Sequence, residues 1–416
     1  MRLFHKIPFS ARHTYYYELR YAILDGFFQG AGLNFINYVG TKTVGVSEWQ
    51  LTVLLCGNFV GMLLATVLPG MLRLQRKVPY IVTLLVVSRA PFFLLPFLPG
   101  RMLYTGLSMV VLSAAVAIGS AYAGLLRSNY PDSHRATIMS GTRRWQLLVL
   151  CVSNLLVGKL LDRHEPAWRW VFPLAGAVGL GSVWMFSRIR ARGERREIAR
   201  GCGLGDLTLP RMWRVVRGNR RFLWYELFFG MGGTPNIMTW ALNVVLSCTS
   251  WRPIRQADRP GAAAPQVMMV LTYPFWGRVL DRWNNPIWAR TLHTAVWAVH
   301  PLACALAYYA HEAGWPHALG IVYFGVIVLG SVMGGSGINW TVGIMYFCRR
   351  EEVAYYSAFH HLMNAVRGFP ARFLGFVIWR WLGVPGTYLL STGMMLGASG
   401  GMLWLYYYDR RISGAP

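Results

Sequence analysis

Charged and amide side chains set inside long apolar stretches are the groups here with the most chemistry to offer. Asp25 stands within the stretch 17–39, with Gln29 one helical turn further on the same face. Asn34 follows as a third polar candidate in that stretch. Arg89 lies near the middle of 78–98, just before Pro91. Arg143 and Arg144 fall in 137–161, and Arg367 and Arg372 in 356–382, beside Gly368 and Pro370. Glu226 is shallow in 221–248, near Arg221. A charge in hydrocarbon is costly, so each is expected to face a cavity or a partner. Asp25 can either take and release a proton or pair structurally with one of the arginines. The planar guanidinium fork suits carboxylate or phosphate, so Arg144 and Arg367 are the expected clamps for an anion.

Other reactive residue types form no recognisable set. His293 and His300, seven apart on one face, are expected to be packing residues. His360 and His361 stand where they could titrate near neutrality. Cys56, Cys151, Cys202, Cys248, Cys304 and Cys348 are scattered, with no CxxC pair, and act as small hydrophobes. No metal spacing, catalytic triad or phosphate loop is present, so no metal, no cofactor and no enzymatic activity are expected.

The elements that must hold these side chains follow from composition. The chain has 416 residues, 55% hydrophobic and only 14% charged, with a formal net charge of +25. That excludes a disordered chain and argues against a soluble enzyme. About twelve apolar stretches of roughly 20 residues predict bilayer-crossing helices: 17–39, 48–69, 78–98, 102–126, 137–161, 168–187, 221–248, 262–281, 287–309, 316–347, 356–382 and 386–408. Lys and Arg in the connections favour one side by roughly three to one, which places both termini and the stretch 188–220 in the cytoplasm. Residues 1–16 lack an apolar core and are not a cleaved leader. The charge therefore orients the protein, and no nucleic-acid partner is expected.

Residues 188–220 split the spans into two sets, with bundles expected at 1–187 and 221–416 joined by a basic linker. Tyr17-Glu18-Leu19 and Tyr225-Glu226-Leu227 open the first and seventh spans, and Gly70 and Gly277 end the second and eighth. This repetition suggests two related six-helix halves. Small residues crowd spans one, four, seven and ten, including Gly26, Gly30, Gly230, Gly233 and Gly334. They serve close helix packing or breaks at a binding site with about equal weight.

The connection Gly277-Arg278-Val279-Leu280-Asp281-Arg282 resembles the cytoplasmic loop motif of the major facilitator superfamily. So do Tyr130-Pro131-Asp132-Ser133-His134-Arg135 and Trp168-Arg169-Trp170-Val171-Phe172, at the fourth-to-fifth loop and the start of the sixth span. The resemblance implies an all-α polytopic fold of about twelve helices in two six-helix bundles, with spans one, four, seven and ten around a central cavity. It also implies alternating access and a gating role for Gly70, Gly277, Asp281 and Arg282. Leu74 stands where the N-terminal copy should carry its aspartate, so the acidic latch is expected to be missing from that half.

The function expected from residues and resemblance together is secondary transport of a small solute, with a preference for an organic anion, coupled to a proton or another ion. A bacterial inner membrane and a monomer are expected. The rival readings are an integral-membrane enzyme acting on a lipid-linked substrate, for which Glu351, Glu352, His360 and His361 are the only clustered groups, and a transporter-like receptor or assembly factor.

Overall fold

The computed structural model describes residues 7–73, 75–97, 100–201, 203–248, 264–283 and 285–413. Among the described residues every regular element is a helix. The first six expected spans become α1 (Arg12–Ala31), α2 (Glu48–Leu72), α3 (Lys77–Arg89), the pair α4 (Arg101–Ala117) and α5 (Gly119–Asn129), α6 (Arg135–Arg163) and α7 (Trp168–Ser187). The stretch 188–220 is itself folded, into α8 (Glu194–Ala199) and α9 (Leu209–Val216), with Leu204, Leu207 and Met212 buried. The later spans become α10 (Arg220–Cys248), α11 (Ala264–Trp283), α12 (Pro286–Trp297) with α13 (Val299–Glu312), and α14 (Ala318–Met345). The last two share α15 (Val353–Ser413), broken at Gly383, where φ is 65° and ψ is −174°.

Among the described residues six helical stretches are long and apolar enough to cross a bilayer unaided, and the bent pair Arg350–Gly375 and Val377–Arg411 is a seventh if taken as one span. The remaining spans carry polar groups, such as Glu18 and Asp25 in α1, or are interrupted, as at Ala298 between α12 and α13. The chain is an integral membrane protein.

Local signals set several boundaries. Ser47 and Gln50 form a capping box at α2, with Ser47 N donating to Gln50 Oε1 at 2.8 Å. Asn285 caps α12 by accepting from Ile287 N at 3.0 Å and Trp288 N at 3.3 Å, with Pro286 at the first helical position.

Contacts divide the chain into two compact units. One holds the residues up to Val215 together with Cys348–Ala365; the other holds Val216–Phe347 and the residues from Val366 onward. The first has an aromatic core in which Phe28 meets Phe92 at 5.0 Å between centroids, Phe92 meets Phe172 at 5.2 Å, and Phe172 meets Trp168 at 5.4 Å. Here α1 and α6 touch backbone to backbone. A Cβ on Gly26 would lie 2.3 Å from Gln146 O, and one on Gly30 would lie 2.4 Å from Leu150 O. Gly30→Ala is therefore expected to destabilise the chain by about 1–3 kcal/mol through overpacking, read as a lower thermal midpoint in detergent. An unchanged midpoint would show that the two helices part freely.

In the second unit Gly330 and Gly334 admit α11 in the same way. Breaks at matching places in the two halves are not found. Spans one and four break at Gly32 and Ile118, whereas α10 runs through Pro235 and α14 runs unbroken from Ala318 to Met345. At these positions the small residues mainly serve packing.

Candidate functional site

In the first unit the polar residues of α1, α3 and α6 meet around Asp25. Its side chain is 1% exposed and ion-pairs with Arg89 through Oδ1 at 2.5 Å. Oδ2 accepts from Gln29 Nε2 at 2.6 Å and from Gln146 Nε2 at 2.7 Å. Gln146 Oε1 in turn accepts from Arg143 Nη1 at 2.6 Å. Arg89 also stacks on Phe28, 4.7 Å from the ring centre. Two turns earlier on α1, buried Glu18 accepts from the hydroxyls of Tyr122, at 2.7 Å, and Tyr130. Of the two readings for Asp25, the geometry shows the ion pair, and its partner is Arg89.

The expected clamp Arg144 is exposed and takes no part in this network; its neighbour Arg143 does. Successive helical residues point about 100° apart, so only one of the pair faces α1. Asn34 is exposed in the turn Leu33–Phe35 that follows α1. The side chain of Arg372 lies outside the described residues.

In the second unit a different group gathers on Phe229 of α10. The Arg367 guanidinium sits 5.5 Å from the Phe229 ring centre, and its Nη1 donates to Gly230 O at 2.6 Å and Phe229 O at 3.2 Å. Room for it exists because residue 233 is glycine: a Cβ there would lie 2.2 Å from Arg367 Nη1. Arg290 lies 4.0 Å from the same ring centre and is only 1% exposed. It lies one turn inside α12, which starts at Pro286. Glu226, buried on α10, is within electrostatic range of both arginines.

His293 supports Arg290. Its Nδ1 lies 3.3 Å from Arg290 Nη1 and its Nε2 lies 2.8 Å from Val332 O. An arginine can only donate, so Nδ1 accepts and Nε2 carries the proton given to the carbonyl. His293 thus has a defined contact with the cluster as well as a packing role. Nearby, Arg290 Nε, Tyr225 Oη and Asn339 Oδ1 are buried without a hydrogen-bond partner.

The loop-motif residues lie within or at the ends of helices. Gly277 is buried within α11, and the helix continues to Trp283, so this glycine does not make the turn. Asp281 and Arg282 occupy the last turn of α11, and the cap of α12 is Asn285. Gly70 lies within α2 and admits the backbone of Leu207, whose oxygen would be 2.2 Å from a Cβ. The left-handed residue that ends α2 is Arg73, at φ 50°.

Leu74 lies outside the described residues, and the start of α3 beyond it meets two acids of α8. Glu197 is buried and ion-pairs with Lys77 at the start of α3. Its Oε1 accepts from Ser128 Oγ at 3.3 Å and lies 3.8 Å from Arg350 Nε. Glu194 caps α3 by accepting from Lys77 N at 2.7 Å, where a negative charge also suits the helix dipole.

No protein-family model matches the chain, and no curated protein matches it. Solved structures do resemble it. The fucose:proton symporter FucP of E. coli superposes with a TM-score of 0.68 at 10% identity, over 94% of this chain and 98% of that one. The human organic anion transporter MFSD10 gives 0.64 at 11% identity, over 95% and 100%. The nucleoside transporter NupG gives 0.59 at 12% identity, over 94% and 100%.

Proposed function

We propose that this chain, which has the major facilitator fold, is a secondary transporter that carries a small organic anion by alternating access. The single observation behind this reading is the group on Phe229, where two guanidiniums face one carboxylate and three buried polar atoms have no partner. Paired arginines can hold a carboxylate or phosphate bidentately, and the buried Tyr225 Oη and Arg290 Nε are donors able to orient it. The human neighbour described as an organic anion transporter supports the same substrate class. Both termini and the linker face the cytoplasm on this reading, as the basic connections indicate, in a bacterial inner membrane and as a monomer.

Glu226 links the anion to a proton. It supplies the arginines with their negative partner when no substrate is bound. An arriving anion competes with Glu226 for the two guanidiniums, and a proton on Glu226 removes that competitor, so anion and proton binding favour each other.

Proteoliposomes with an imposed inward-acid pH gradient test this directly. Labelled carboxylates and phosphate esters should accumulate, and a collapsed gradient should stop them. If no anion moves by uptake or exchange, the reading fails. Glu226→Gln is expected to bind the anion with little pH dependence and to lose gradient-driven accumulation while keeping exchange. Accumulation at the wild-type level would remove Glu226 from the coupling step.

A further inference from the structure

A second arginine cluster lies far from Phe229 in the sequence and plays no part in the transport site. Ser10, Arg127, Asp132, Arg135, Arg192 and Arg350 line an open cavity of about 330 Å³ in the first unit. Four guanidiniums line it with one carboxylate, Asp132, and Arg350 also lies 3.8 Å from Glu197 Oε1. Arg127 and Arg135 both pair with Asp132, whose side chain is 64% exposed. Backbone carbonyls hold the arginines in place. Arg135 donates to Tyr130 O at 2.9 Å, Arg192 donates to Ser10 O, and Arg350 donates to Ser128 O at 2.9 Å and Arg192 O at 2.7 Å. Arg127 and Arg192 each commit only one terminal nitrogen in these bonds, out of about five N–H donors per guanidinium. The cavity is preorganised, rich in donors and positive.

Its depth is informative. The apolar stretches beside it run Arg101–Asn129 and Asp132–Arg163, so the cavity sits where two spans leave the hydrocarbon. Lipid phosphates lie at that level. The basic connections place this end on the cytoplasmic side, where anionic lipids concentrate.

We propose that this cavity is a binding site for a phosphate ester, with the headgroup of an anionic phospholipid as the occupant its depth favours. Arg127 and Arg192 grip the phosphate, and Arg135 and Arg350 complete the positive wall.

The test uses the full chain in phosphatidylcholine nanodiscs with graded phosphatidylglycerol, and native mass spectrometry counts the phosphatidylglycerol retained. In a parallel arm, sn-glycerol 1-phosphate and inorganic phosphate are titrated in detergent and followed by thermal shift. The double variant Arg127→Gln/Arg192→Gln should weaken retention at least tenfold. The control Arg195→Gln/Arg196→Gln removes the same charge from exposed positions on α8 and should leave retention unchanged. Retention of phosphatidylglycerol without a response to the soluble esters assigns the site to lipid. The reverse assigns it to a soluble phosphate ester. Equal loss in both double variants would show diffuse surface attraction and overturn the site, as would no binding in either arm. Should the double variant misfold, phenylglyoxal labelling of the native chain still decides. Phosphatidylglycerol or the soluble ester should protect Arg127 and Arg192 but not Arg195, and equal labelling with and without them would refute the proposal.

Discussion

Arg89→Met is expected to lower the stability of the chain by about 3–5 kcal/mol, the scale for removing one partner of a buried ion pair. The substitution leaves the Asp25 carboxylate buried, with only the Gln29 and Gln146 amides to hold it. It also removes the cation above Phe28. Chemical denaturation of the detergent-purified chain measures the loss. The double variant Arg89→Met/Asp25→Leu should recover most of it, because two apolar side chains of similar volume need no counter-ion. A single variant as stable as the parent would show that the pair holds nothing together. The double variant also separates the two roles considered for Asp25. Transport retained with both charges gone makes the pair structural; transport lost from a stable protein gives Asp25 a part in coupling.

Arg367→Gln is expected to remove about 2–5 kcal/mol of anion-binding free energy, the range for truncating one member of a buried charge contact. At roughly 1.4 kcal/mol per tenfold, affinity falls by about 30-fold to several thousand-fold. Folding should survive, since glutamine keeps an amide donor for the carbonyls of Phe229 and Gly230. Gly233→Ala probes the same group from the opposite side, because its Cβ occupies the space of the guanidinium. The two variants should weaken binding in isothermal titration while leaving the thermal midpoint of the empty protein close to that of the parent. Unchanged affinity in Arg367→Gln would remove this residue from the site.

Much of this arrangement was legible in the order of residues, and the gaps have physical causes. Apolar run length revealed the spans because a helix without enough hydrocarbon-compatible length cannot cross. The spacing of Asp25 and Gln29 predicted a shared face, and the structure joins them by a hydrogen bond. Arg367 stood out as a charge inside a span. Arg290 did not, because it falls in the first turn of the expected span 287–309, where a charge can reach the interface. Arg143 and Arg144 could not be told apart without the register of α6 against α1. Gln146 is neutral and gave no signal. Glu197 lies in a charge-rich stretch that looked uniformly solvated, and its burial depends on Lys77, far away in the sequence. Local pattern thus located the charges inside the spans, while pairing across distant segments chose their partners.

The division of the chain also has a consequence for how the protein is made. Cys348–Ala365 belongs to the first unit although it is encoded after most of the second. During synthesis the helices up to α8 emerge early, but Arg350, which binds the carbonyls of Ser128 and Arg192, is not yet present. The first unit therefore waits, incomplete, until nearly nine-tenths of the chain has left the ribosome. Separately expressed halves divided within 188–220 would inherit the same dependence: the amino-terminal fragment would lack a piece that only its complement can return.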